Sequence, residues 1–158
     1  MSSFRKRPNP KKPRAKGNYS NVSKKVVDGI QFRSNLEIHC YKALKDAGIP
    51  ADYEKHKYVL MEGFHYSNIR LEDNGKSGYR DKQTYKVRDI TYTPDFVDPN
   101  GKWVIECKGF SNERFPLKWK MFMDKLMKAK NPPALFVPRT QKQNLETIQA
   151  ILELRKLS

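Results

Sequence analysis

The stretch YTPDFVDPNGKWVIECKGF, residues 92–110, leaves a chain few ways to fold. Pro94 has no N–H for a strand ladder, Asp-Pro-Asn-Gly at 98–101 is a tight-turn sequence, and Trp103, Val104 and Ile105 are strand formers. An antiparallel hairpin is therefore expected. If it turns between Pro99 and Asn100, Asp95 opposes Val104. Side chains alternate along a strand, so Asp95, Glu106 and Lys108 then share one face while Pro94, Phe96, Trp103, Ile105 and Cys107 take the other.

That register makes Asp95 and Glu106 diagonal neighbours, with Cα atoms about 7–8 Å apart. Two carboxylates about 6 Å apart repel by roughly 3 kcal/mol at an effective dielectric near 20. Something positive must offset this. Lys108 is one candidate, and a divalent cation is the other, because Mg²⁺ is commonly held by one or two carboxylates with waters and phosphate oxygens completing its shell.

Around the hairpin the sequence reads as alternating helices and strands. VVDGIQF is a short extended segment. Ser34 stands three residues before Glu37, the spacing of a capping box, and opens a helix over 35–47 with Leu36, Cys40, Ala43, Leu44 and Ala47 on its apolar face. Residues 50–63 read as one strand, as do residues 85–97, with a polar insertion at about 61–85 that is either a long loop or a solvated hairpin. FPLKWKMFMDKLMKAKN gives a helix with Leu117, Met121, Phe122, Leu126 and Ala129 along one side. ALFVP is a buried strand. Thr140, three residues before Gln143, caps a last helix carrying Leu145, Ile148, Ile151 and Leu152. The order α, β, β, β, α, β, α predicts an α/β domain over 26–158, with a mixed central sheet flanked by helices.

Charge narrows the partner. The chain carries 32 Lys and Arg against 17 Asp and Glu, a net +15, which suits a polyanion such as DNA. Nine of those basic residues and no acid fall within residues 1–25, in a Pro- and Lys-rich segment read as a disordered basic arm. Within it Arg5, Lys6, Arg7, Lys11, Lys12 and Arg14 are candidate phosphate contacts, with Lys118 and Lys120 on the second helix. No run approaches a membrane span and no secretory signal is present, so the chain is read as soluble and intracellular, with no membrane partner. Cys40 and Cys107 lack metal or redox spacing and read as buried thiols. His39, His56 and His65 form no zinc pattern. Asp52 and Glu54 read as surface charges on a strand. No Ser-His-Asp constellation, nucleophile elbow or phosphate-binding glycine loop is found.

Pro94-Asp95 followed by Glu106-Cys107-Lys108 resembles the motif of the PD-(D/E)XK nuclease superfamily. FRSNLE at 32–37, GIPADYE at 48–54 and YTPDFVDPNGKWVIECKG at 92–109 resemble the phage endonuclease I family of Holliday-junction resolvases. VDGIQFRSNLE and KGFSNERFPLKWKMF are similar to small phage nucleases of the same superfamily. The resemblance spans about residues 25–125. It implies a restriction-endonuclease-like core and metal-dependent hydrolysis of DNA, with branched DNA as a candidate substrate and a homodimer as the form that junction cleavage requires. It further implies that Asp95, Glu106 and the backbone carbonyl of Cys107 ligate Mg²⁺ or Mn²⁺, that Lys108 orients the attacking water, and that Glu37 adds a carboxylate. Two alternatives stand beside it: a catalytically inert basic DNA-binding protein on the same fold, and a transposon-end or restriction-type nuclease.

Overall fold

A computed structural model describes residues 25–73, 75, 78–81, 85–109 and 114–157. The basic arm at 1–24, with its six candidate phosphate contacts, lies outside the described residues; Lys25, placed at the end of that arm by the sequence, already begins a strand.

β1 (Lys25–Val27) and β2 (Ile30–Phe32) form a hairpin about Asp28 and Gly29, whose φ values of 51° and 76° are the left-handed pair that a two-residue turn demands. α1 (Asn35–Asp46) follows. The Ser34 side chain accepts the Glu37 N–H, as expected of its N-cap.

The two long strands expected on either side of the polar insertion are each broken. β3 (Asp52–Tyr53) and β4 (Tyr58–Met61) replace the first, separated where Glu54 takes a left-handed φ of 47°. The second becomes β8 (Tyr85–Val87), β9 (Ile90–Tyr92) and β10 (Phe96–Val97), with Pro94 at the break between β9 and β10. Between them the insertion is a hairpin, with β5 (Phe64–Tyr66) paired to β8 and β6 (Leu71–Asp73) to β7 (Tyr79–Asp81). It extends outward from the β4–β9 pair.

The central sheet adds β11 (Trp103–Ile105) and, after α2 (Phe115–Met127), β12 (Ala134–Phe136); its order is β12-β11-β10-β3. β11 and β12 run parallel and the other pairs antiparallel, so the sheet is mixed and α2 is its crossover. α3 (Gln141–Lys156) closes the chain, capped by Thr140 accepting the Gln143 N–H at 3.2 Å. No helix of the described residues is long and apolar enough to cross a membrane.

The hairpin register differs from the expected one. Phe96 pairs with Ile105 and Val97 with Val104, and the Asp98 N–H donates to the Trp103 carbonyl, so the loop is Pro-Asn-Gly-Lys, one residue further along the chain. The reason is local: the Gly101 N–H donates to Asp98 O, Gly101 takes φ 70°, and the Asp98 carboxylate caps the Lys102 N–H. Each partner shifts by two residues. That preserves which face each side chain takes and, by the same register, puts Asp95 opposite Glu106 just beyond the last paired residues, not diagonal to it.

Apolar residues line both faces of this sheet. Phe96, Trp103, Ile105 and Cys107 pack with Phe32, Cys40 and Leu44 and with Ile148 and Ile151 of α3. Val97 and Val104 pack on the other face with Tyr92 and with Phe115 and Phe122 of α2. On α2 Phe115 and Phe122 are buried and Trp119 and Leu126 half-buried on the same side, whereas Leu117 is 64 % exposed and Ala129 lies exposed beyond the helix. Proline at the first turn of α2 starts the helix near Phe115, which fixes that rotation. Leu145 likewise faces solvent on α3, where Asn144, Thr147, Ile148 and Ile151 are the buried positions.

Candidate active site

Glu37 from α1, Asp95 beside β10 and Glu106 beyond β11 are buried, and all three line one cleft of about 480 Å³. Its rim carries Arg33, Lys108, Arg114 and Lys118, so three acids sit inside four cations. The hairpin supplies Asp95, Glu106 and Lys108, the first helix supplies Glu37, and α2 brings Lys118. Lys118 donates to the Thr91 carbonyl at 3.1 Å. Lys120 is exposed on the same helix and does not line the cleft.

Each acid has a distinct set of partners. Asp95 Oδ2 accepts the Cys107 N–H at 2.7 Å, and the Asp95 carbonyl accepts the Glu54 N–H at 2.9 Å. Burial, then the negative charges of Glu106 and Glu37, push the Asp95 carboxyl up to about 8, against the opposing pull of the Cys107 N–H and Lys108. Glu106 Oε1 receives Lys108 Nζ at 3.1 Å, and that ammonium lies 4.4 Å from the centre of the Phe115 ring. Glu106 Oε2 is buried without a hydrogen-bond partner among the described residues, and so is the Tyr92 hydroxyl. Burial, then the charge of Glu106 and a loose side-chain hydrogen bond with it, raise Tyr92 above the ordinary phenol range, so the two groups face each other inside the cleft with no closer partner among the described residues.

Glu37 is held by three donors. Oε1 takes the Ser34 hydroxyl at 2.7 Å; Oε2 takes the Arg33 N–H at 3.0 Å and the Tyr53 hydroxyl at 2.7 Å. The capping-box spacing thus places the side chain as expected, but its return bond goes to the residue before the cap. A glutamine can turn its amide toward Ser34 and keep its oxygen on Arg33 and Tyr53. Glu37→Gln is therefore expected to lower stability by no more than about 1 kcal/mol, measured by thermal melting, while removing the negative charge from the cleft.

Tyr53, Tyr92, Arg33, Arg114 and Glu54 were not legible as site residues. Glu54 differs from the surface charge expected of it: it pairs with Arg33 at 2.9 Å, and burial, then the charges of Glu37 and Glu106 after the opposing Arg33, raise its carboxyl. GIPADYE carries the acid, but only the fold shows Glu54, at a left-handed φ, close enough to feel the charges of Glu37 and Glu106. Asp52 matches its expected surface role, pairing with Lys55 at 2.6 Å and His56 at 2.9 Å.

The cysteines are buried free thiols, as expected. Contact with the Cys40 thiol, then burial, hold Cys107 protonated, which removes it as a nucleophile. His39 meets the Asn144 amide at 3.2 Å and takes no part in the cleft. Among the described residues no three His, Cys, Asp or Glu side chains form a ready-made metal cage. What the cleft holds is two buried carboxylates facing across a hairpin, one with an unused oxygen, a donor set that suits a hard cation keeping several waters.

No curated protein and no solved structure matches the chain. A family model matches residues 17–142, which include every residue of the cleft, and the chain thus belongs to the family described as a protein of unknown function (DUF1064).

Proposed function

We propose that the protein is a metal-dependent endodeoxyribonuclease that hydrolyses DNA phosphodiesters to 5′-phosphate and 3′-hydroxyl ends. The observation that carries this reading is the convergence of Asp95, Glu106 and Glu37 with Lys108 in one cation-rimmed cleft. The PD-(D/E)XK resemblance adds the reaction type, the restriction-endonuclease-like description of the α/β core and the branched substrate.

Asp95, Glu106 and the Cys107 carbonyl would hold Mg²⁺, or Mn²⁺ in its place, with Glu37 completing the acidic floor. When bound, the ion supplies an acidified water and offsets charge on the phosphate. The orphaned Glu106 Oε2 and the Asp95 carboxyl forced toward its neutral form are both what a carboxylate pair lacking its counter-charge displays. Lys108, already on Glu106 Oε1 and steadied over Phe115, is placed to share its protons with an attacking water or a phosphate oxygen. Arg33, Arg114 and Lys118 hold the strand through its phosphates.

The test is incubation of the purified protein with supercoiled plasmid, linear duplex and a synthetic four-way junction, in Mg²⁺ or in EDTA. Cleavage in Mg²⁺ alone is expected, fastest on the junction. Salt-sensitive DNA binding without any cleavage would instead establish the inert binding protein. Equal cleavage of linear duplex and junction would point to a restriction-type or transposon-end enzyme.

Lys108→Met is expected to lower the cleavage rate on the order of a hundredfold, with DNA retention on a gel falling far less, because one of four rim cations is lost.

A further inference from the structure

Core packing accounts for the Tyr92 ring but not for its hydroxyl. The ring lies 4.9 Å from Phe122 and 6.1 Å from Trp119, and its backbone pairs with Tyr58 where β4 meets β9. A phenylalanine would keep all of these contacts. The hydroxyl belongs to the cleft, which Tyr92 helps to line, and it is buried with no close hydrogen-bond partner among the described residues. Folded proteins seldom leave a buried polar atom in that condition without a reason.

Glu106 supplies the reason. The other two cleft acids are held by fixed or multiple donors: Glu37 by Ser34, the Arg33 N–H and Tyr53, and Asp95 by the backbone N–H of Cys107. Glu106 Oε1 receives the Lys108 ammonium at 3.1 Å, a donor on a flexible stem. Its Oε2 is the other buried atom without a close partner, and the Tyr92 hydroxyl stands before it in a loose hydrogen bond. Burial, then the charge of Glu106, keep that phenol protonated and so a donor. A carboxylate oxygen accepts in more than one direction, so a phenol proton on Oε2 leaves room for a cation on the same group. Because aromatic packing fixes the ring, the hydroxyl stays in place when Lys108 turns to a water or a phosphate.

We propose that Tyr92 is a positioning residue whose hydroxyl donates to Glu106 Oε2 and keeps that carboxylate in one orientation, so that Mg²⁺ meets a fixed ligand and Lys108 is released from Oε1. This rests on the metal-dependent reading above. Mg²⁺ demands near-ideal geometry, so a carboxylate free to turn binds it less well, and hydrogen bonds to a ligating group commonly change metal affinity by about ten- to a hundredfold.

An ion that binds only the folded chain raises its melting temperature by mass action, so melting curves over a Mg²⁺ series report affinity without DNA. The parent's melting temperature is expected to climb with Mg²⁺. Tyr92→Phe should melt with the parent or slightly above it in EDTA, since the ring contacts are kept and no close hydrogen bond is lost, yet should need on the order of tenfold more Mg²⁺ for half the rise. Tyr58→Phe, which removes a hydroxyl from the same aromatic cluster outside the cleft lining, should match the parent in both respects. If Tyr92→Phe melts lower in EDTA, calorimetric titration with Mg²⁺ well below its melting temperature makes the same comparison. Equal Mg²⁺ requirements in the parent and Tyr92→Phe overturn the proposal and leave the metal site standing; so does a requirement raised as far by Tyr58→Phe, which would trace the effect to aromatic packing. A parent that Mg²⁺ does not shift overturns the metal site and the proposal together. Mg²⁺ binding without cleavage of any DNA removes the nuclease reading alone, and a raised requirement in Tyr92→Phe upholds the role of Tyr92 in that case too.

Discussion

In EDTA at pH 9, Asp95→Asn is expected to melt above the parent by about 5 °C, corresponding to about 1–3 kcal/mol for a chain of this size. The parent's Asp95 carboxyl is raised to about 8 by burial and by Glu106 and Glu37. A group whose folded value lies above its unfolded one favours folding fully at pH below about 4 and loses that contribution as pH rises through about 8. Asparagine stays neutral at every pH, and its oxygen can still accept the Cys107 N–H. The gap between the two proteins should therefore be smallest at about pH 4 and below, where both states of the parent are protonated, widen as pH rises from about 4 to about 8, and stay constant above that.

The same variant should lose Mg²⁺-dependent cleavage by on the order of a thousandfold or more, and Mg²⁺ should raise the parent's melting temperature at pH 8 without raising the variant's. Higher stability with lost activity is the signature of a site strained for function. Melting curves that coincide at all pH values would show that burial does not charge-frustrate this carboxyl. Cleavage surviving in Asp95→Asn would place the chemistry elsewhere.

Phe122→Ala is expected to lower stability by about 3–5 kcal/mol, the cost of emptying a fully buried aromatic site, read from urea unfolding. Phe122 lies 4.9 Å from the rings of both Tyr58 and Tyr92 and 5.7 Å from Trp119. With Trp119 against Tyr92 and Lys118 on the Thr91 carbonyl, it joins α2 to the β4–β9 pair on the outer face of the sheet. Its removal should also loosen Tyr92 and Lys118 at the cleft, so activity should fall even under conditions where the variant remains folded. Phe122→Leu, which refills most of the volume, should recover most of both losses.

Much of this was legible from pattern. Side-chain alternation does not depend on where a hairpin turns, provided the loop changes by an even count. The segregation of Asp95, Glu106 and Lys108 from Phe96, Trp103 and Ile105 therefore survived a two-residue shift in register. Ser34 and Thr140 marked their helix starts because a cap is a local hydrogen bond between residues three apart. The apolar face of α2 was misjudged at Leu117 because helical spacing alone admits several rotations. Which one is taken depended on Trp119 and Phe122 finding Tyr92 across the interface, with Phe115 stacked on Trp119.

The long-range pairings were not legible. Residues 50–63 look like one strand by composition, but Glu54 turns the chain so that β3 joins the central sheet and β4 leaves it for β9. No short-range preference encodes that choice between two partners, each of which offers a similar ladder.

By itself the sequence determined the hairpin, the helix caps, the strongly basic charge and the identity of the acids at 37, 95 and 106, because each rests on neighbours within a few residues or on simple counting. Only the tertiary structure decided that α1 delivers Glu37 into the same cleft as the hairpin acids, that Tyr53 and Arg33 hold it there, and that Glu106 Oε2 and the Tyr92 hydroxyl face each other with no closer partner among the described residues. Those facts depend on burial and on contacts between residues tens of positions apart, where the dielectric and the available donors are set by the whole packed core and not by the local chain.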